Sequence, residues 1–187
     1  MDPRNDINKC IETLESGGLI LYPTDTIWGI GCDATNGNAV EKIFRLKKRA
    51  DNKAMIILVA DAEDIFKYVE HPDKKISEYL SSAEKPTTAI YQNAKGLAEN
   101  LVQADGSIAI RIVNDDFCKM LIREFGKPIV STSANISGSS FPQNFREISE
   151  EIKSGVDYIV QHRRDDLFTS APSSIIKMEN GNIIKIR

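Results

Sequence analysis

The residues with chemistry to offer fall in four places. Tyr22-Pro23-Thr24-Asp25-Thr26 closes the short apolar run LILY, and Lys47 and Arg49 close a stretch of helical spacing. Ser107 and Arg111 lie in SIAIRIV, and Ser131-Thr132-Ser133-Ala134-Asn135 continues PIV. A serine-rich loop offers hydroxyl and backbone N–H donors. Lysine and arginine bring fixed positive charge suited to phosphates. In open α/β sheets ligands gather beyond strand ends. The four places together describe an anion-binding cleft of the kind a nucleotide would fill.

Each feature alone has a plainer explanation. A hydroxyl-rich turn after a strand is common. A run such as KKR is usually a solvated face. Yet Val40, Ile43 and Phe44 stand at i, i+3 and i+4, and Lys47 is the next position on that apolar stripe. Either Lys47 snorkels off the core's edge and steadies a helix end, or the stripe opens onto a site that needs its charge. Arg111 poses the same choice. SIAIRIV alternates, with Ile108, Ile110 and Ile112 on one face and Ser107, Ala109 and Arg111 on the other. An arginine in mid-strand among small residues needs an anion or a carboxylate opposite it. Several other chemistries lack their signatures. There is no GxxxxGK[ST], GxGxxG or GxSxG. The two histidines and the three scattered cysteines, Cys10, Cys32 and Cys118, make neither a zinc site nor a disulfide framework. No metal ligands are assigned.

The elements that must position these groups alternate along the chain. Ile7, Cys10, Ile11 and Leu14 mark a helix over 5–16, ended by Gly17-Gly18, and LILY (19–22) is a strand. GIGCDA follows a possible second strand, and a helix then starts at 36–38 with Asn38 as its N-cap. MIILVA (55–60) reads as a strand covered on both faces. Helices are expected over 61–69, 74–82, 115–126 and 145–155, with a helical turn within 95–104. TTAIY (87–91), SIAIRIV, PIVS (128–131), DYIVQ, SSIIKM and NIIKI are strand-like, and 137–144 reads as a loop over a site. The class is α/β with a mixed sheet. At 187 residues, 41 % hydrophobic and 27 % charged, residues 1–187 read as a single domain. A net charge of −3 and a pI near 5.5 argue against a protein that coats nucleic acid over its whole surface. No apolar run reaches membrane-spanning length and the N-terminus is polar, so a cytoplasmic protein without a membrane or secretory segment is expected.

In order, GGLILYPTDTIWGIGCDA, KKR, SIAIRI, GKPIVSTSANISG and APSSII closely resemble the YrdC-like family of threonylcarbamoyl-AMP synthases, from about Gly17 onward. The family's K-x-R…S-x-N tetrad reads here as Lys47, Arg49, Ser133 and Asn135. PTDT matches its PT[DE]T strand end, Pro172-Ser173-Ser174 resembles its P-S-T segment, and Arg187 resembles the arginine of its late I-x-R strand. Two departures stand out. Ala50 replaces the usual proline after K-x-R, and AEKPTTAIY keeps only Pro-Thr-Thr of a W-P-G-P-x-T segment.

The resemblance implies a twisted mixed sheet with flanking helices and a basic concave cleft. It implies condensation of L-threonine, bicarbonate and ATP into threonylcarbamoyl-AMP and pyrophosphate, for threonylcarbamoyladenosine modification of tRNA. Lys47, Arg49, Ser133 and Asn135 would be catalytic. With Ser107 and Arg187 they would also hold ATP, whose phosphates would carry Mg2+. Thr24, Arg111, Ser131 and Ser173 would hold threonine. The implied partners are tRNA or other RNA and the downstream tRNA-threonylcarbamoyl transfer proteins. The rival readings are a paralogue of different or unknown activity and a non-catalytic RNA-binding module whose basic cleft Arg45, Lys47, Lys48, Arg49 and Lys53 would supply. The absence of interleaved exposed aromatics speaks against the latter.

Overall fold

A computed structural model describes residues 3–48, 54–167 and 171–187. Among them one mixed sheet of nine strands runs through the molecule in the order β7-β1-β2-β6-β3-β5-β4-β8-β9. The strands are β1 (Ile20–Tyr22), β2 (Gly29–Gly31), β3 (Ile56–Val59), β4 (Thr87–Tyr91), β5 (Ile108–Ile112), β6 (Ile129–Ser133), β7 (Tyr158–Ile159), β8 (Ser174–Glu179) and β9 (Asn182–Lys185). The pairs β1–β7, β3–β5 and β4–β8 are parallel and the others antiparallel. The α-helices are α1 (Pro3–Glu15), α2 (Gly37–Leu46), α3 (Ile65–Tyr68), α4 (Lys74–Ser82), α5 (Asp116–Phe125) and α6 (Glu150–Ser154).

Period-two alternation sorts the strand residues onto two faces. One face carries Leu21 opposite Ile30, then Val130, Ile57, Ile110, Ala89 and Ile176 in register, with Thr132 of β6 the partner of Ile30. The apolar residues of this face join Val40, Ile43 and Phe44 of α2, Ile76 of α4 and Ile152 of α6 in the larger core. The opposite face is divided. Ile20, Tyr22, Leu58 and Ile129 pack beneath α1 and α5 in a second core. Gly29, Ile56, Ser131, Ser133, Arg111 and Ile175 lie on the same face but line an open cavity instead.

The elements follow from local chemistry, with some corrections. Asn36, not Asn38, caps α2. Its backbone is extended (φ −106°, ψ 101°) and its side chain accepts from Asn38 N and Ala39 N, so Asn38 already lies in the first turn. The second strand begins GIGCDA rather than preceding it. Segment 61–69 is only a 3-10 turn and the four-residue α3, because Val69 leaves the helix to bridge Ala94. Segment 145–155 is broken at Ser149, whose extended backbone and side-chain oxygen start α6 afresh. Within 95–104 a single hydrogen-bonded turn forms, Leu101 N donating to Ala98 O at 3.0 Å. Ala98 and Leu101 are buried there, and Ala98 N donates to Ala34 O.

Gly31 shows why β2 is glycine-rich. A Cβ there would fall 2.7 Å from the Tyr22 ring and 2.9 Å from Val130 O. Only a residue without a side chain lets β1 and β6 close over β2.

Candidate functional site

The cavity, about 280 Å³, rests on the sheet's face rather than beyond the strand ends. The structure brings Arg111, Ser131, Ser133, Ser173 and Arg187 to its wall. Thr26, Trp28 and Phe141 line it as well; Thr26 belongs to the hydroxyl-bearing turn and Phe141 to the loop over 137–144 that the sequence points to, whereas Trp28 does not. Thr26 was within reach, since PTDT presents a second hydroxyl. Phe141 bears out the expectation of a loop over the site at 137–144, while Trp28 carries no sequence signal beyond its size. Ser107 is buried at the opposite end of β5 from Arg111, its N–H donating to Asp105 Oδ1. At about 3.3 Å per residue this is roughly 13 Å along the strand. It is absent from the cavity wall.

Arg111 is 3 % exposed and its Nη2 lies 3.0 Å from Oδ1 of Asp25, itself 6 % exposed. The carboxylate that the strand pattern required is therefore Asp25, delivered by the PTDT turn. Asp25 Oδ2 also accepts from Asn114 N at 3.0 Å. The pair is not saturated. Arg111 Nε and Asp25 Oδ1 are buried without an aligned hydrogen bond. Register places Thr88 beside Arg111, and the Thr88 hydroxyl shares a 2.8 Å hydrogen bond with that of Ser173.

Thr24 holds the PTDT turn together. Its hydroxyl donates to Ile27 O at 2.8 Å, accepts from Thr26 N at 3.1 Å, and lies 3.0 Å from the Thr26 hydroxyl. It is Thr26 that lines the main cavity, while Thr24 lines a small adjoining cleft.

Lys47 does continue the buried stripe of α2, being 1 % exposed. It does not snorkel. Its Nζ donates to Ser133 O (2.5 Å) and Asn135 O (2.6 Å) and lies 3.4 Å from Asn135 Oδ1. Ser133 Oγ donates to Asn135 Oδ1 (2.5 Å), and Asn135 Nδ2 donates to Ser139 O (2.6 Å). Three members of the tetrad thus form one bonded unit at the end of β6. Buried ammonium charge is tolerable only when bonded in this way. Arg49, with Ala50 and Lys53, lies outside the described residues. Of the other cations in that run, Arg45 pairs with Glu41 and Lys48 with Glu151.

Arg187 Nε donates to Ser173 O at 3.1 Å. Partial burial, with the charge of Arg111 nearby, lowers its pKa from the ordinary arginine value. A guanidinium nevertheless stays charged at any working pH. The cavity therefore holds two arginines, one of them paired with Asp25, and several residues bearing hydroxyls. Among the described residues no group of three metal-ligating side chains gathers. Burial raises the pKa of all three thiols, so none is a ready nucleophile.

The family described as telomere recombination, which groups Sua5, YciO and YrdC proteins, matches residues 12–187. The chain belongs to this family. It is 32 % identical over 188 residues to the threonylcarbamoyl-AMP synthase of Pseudoalteromonas translucida, covering 99 % of this chain and 100 % of that one. In fold it resembles P. abyssi Sua5 complexed with L-threonine (TM-score 0.87, 20 % identity), covering 100 % of this chain and 54 % of that one. It thus spans about half the length of that family member. E. coli YciO superposes with a TM-score of 0.82 at 24 % identity, covering 100 % and 89 % of the two chains. Within the described residues of this family member, no helix is long and apolar enough to cross a membrane.

Proposed function

We propose that this chain is an L-threonylcarbamoyladenylate synthase, joining L-threonine, bicarbonate and ATP. The observation that carries the reading is Arg111, a buried guanidinium with an unbonded Nε, at a cavity edged by the hydroxyls of Thr26, Ser131 and Ser173. A relative matched end to end bears the synthase name, and a neighbour in fold is complexed with L-threonine.

In the reaction, the amino nitrogen of threonine bonds to the carbon of bicarbonate and water is lost, leaving a carbamate. A carbamate oxygen then attacks the α-phosphorus of ATP. The bond from that phosphorus to the bridging oxygen breaks, and pyrophosphate leaves with its electron pair. Arg111 would hold the threonine carboxylate, and Thr26, Ser131 and Ser173 would read its polar atoms. Thr24 contributes by fixing Thr26. Lys47 and Asn135 shape the 133–139 loop, while the Ser133 hydroxyl, Arg49 and Arg187 would meet the phosphates. Donors fixed before charge develops stabilise the transition state without reorganising. Mg2+ would arrive on the phosphates of ATP. The adenylate would pass to tRNA-threonylcarbamoyl transfer proteins, with tRNA as the final acceptor.

The test is pyrophosphate release from ATP and bicarbonate, with and without L-threonine and with L-serine as control. Threonine-dependent release is expected. ATP binding without such release would overturn the reading.

A further inference from the structure

The segment following β7 is held from two sides. The buried carboxylate of Asp6, on α1, accepts from Tyr158 Oη (2.6 Å), Gln161 N (3.0 Å) and His162 N (2.8 Å). The His162 ring stacks on Phe117 of α5, with centroids 5.3 Å apart. Between these anchors and the cavity stand two consecutive arginines.

Arg163 has a left-handed backbone, φ +63°, which residues other than glycine seldom adopt. Such a conformation persists only where surrounding contacts over-determine it. Here the contacts are three. Nη1 donates to Thr24 O (3.2 Å) and to Asp115 Oδ2 (3.0 Å), and Nε donates to Asp166 Oδ2 (2.9 Å). Asp115 also caps α5 through Oδ1, which accepts from Cys118 N. Arg164 bonds Val160 O through Nε at 2.7 Å and lies 4.9 Å over the Phe145 ring. Phe145 packs in turn on Trp28 at 4.9 Å. One arginine therefore reaches the first residue of Thr24–Trp28, and the other reaches the last through a single aromatic ring. That segment is a wall of the main cavity, because Thr26, Ile27 and Trp28 line both it and the small cleft beside Arg163.

We infer that Arg163 and Arg164 form a clamp that sets the position of the Thr24–Trp28 wall and, through it, the affinity for the amino-acid substrate. The second half of this inference rests on the synthase reading above. Neither arginine touches substrate; both are positioning residues. Arginine suits the task because one planar fork can hold a carbonyl and two carboxylates at once, which an ammonium does with less directional fit. The threonine side should feel the clamp more than the nucleotide side, since Thr26 is part of the wall, whereas Ser133, Arg49 and Arg187, to which the phosphates are assigned, lie outside it and the wall meets the 133–139 loop through the Ala134 N–Trp28 O bond (3.1 Å).

The experiment uses the full chain with Arg163→Asn, which tolerates the left-handed backbone, Arg163→Lys, and Arg164→Gln. Trp28 is the only tryptophan, so its emission and its quenching by acrylamide report the wall directly. The inference expects greater acrylamide access in Arg163→Asn and Arg164→Gln and a rise of about tenfold or more in the KM for L-threonine. The KM for ATP should stay within about threefold of wild type, and kcat at saturation should be largely kept. Arg163→Lys should fall between Arg163→Asn and wild type. Unchanged acrylamide access, or a parallel loss for both substrates, would overturn it. Should the wild-type chain not use L-threonine at all, the synthase reading fails on its own. The clamp is then judged by Trp28 access alone, which rises if the arginines set the wall and stays level if they do not.

Discussion

Arg111 and Asp25 are each tolerated in the interior because of the other. Removing one partner of a buried pair strands a charge, which costs about 3–5 kcal/mol. Arg111→Ala should therefore lose both stability and threonine-dependent turnover. The double substitution Asp25→Asn with Arg111→Gln should recover most of the stability in urea denaturation while turnover stays low. Recovery of turnover as well would remove the substrate role given to Arg111. Lys47 separates fold from function differently. Lys47→Met keeps the apolar stem but takes the ammonium donor from the Asn135 carbonyl, a loss of roughly 1–3 kcal/mol if that group is left unpaired, while Ser133 O keeps its bond from Asn135 N (2.9 Å). We expect the loop to loosen and threonine-dependent pyrophosphate release to fall by more than about 100-fold, with circular dichroism unchanged. Near-normal turnover would mean that the shape of this loop is immaterial.

At the scale of elements, glycines separate packing from backbone freedom. Gly31→Ala drives a methyl into Tyr22 and into the carbonyl of Val130, so a loss of about 1–3 kcal/mol is expected. Gly126, the left-handed cap of α5 (φ +75°), has open space around its Cα, so alanine there should cost only about 1 kcal/mol. Paired denaturation curves would check the order of the two. Much of this level was legible in the sequence. The alternation of SIAIRIV put Arg111 opposite the isoleucine face, and the stripe of α2 marked Lys47 as inward-facing. What could not be read was pairing at a distance. Nothing local says that Asp25 meets Arg111, that Ser173 meets Thr88, or that Ser107 is carried away from the site. Periodicity predicts longer helices over 61–69 and 145–155 than form, because it does not register a strand bridge at Val69 or a fresh cap at Ser149. The left-handed backbone of Arg163 leaves no compositional trace.

For the molecule as a whole, the thiols of Cys10, Cys32 and Cys118 are buried in the two cores on opposite faces of one sheet. Their labelling by a thiol reagent should wait for the sheet to open, and its rate should rise with urea as global unfolding does. A thiol that reacted in the absence of denaturant at the rate of a free cysteine would show that one face opens independently.

β6 lies between β2 and β3, although about a hundred residues of chain separate β2 from it. On a ribosome adding 5–20 residues per second, β2 waits roughly 5–20 s for its central neighbour. During that interval the edges of β2 and β3 that β6 will cover are bare, and neither core can close. A nascent chain in this condition invites pairing with other chains. The order of the strands thus leads us to expect a yield that depends on the pace of translation more than the final stability does, which comparing soluble yield and urea midpoint after fast and slowed synthesis would check.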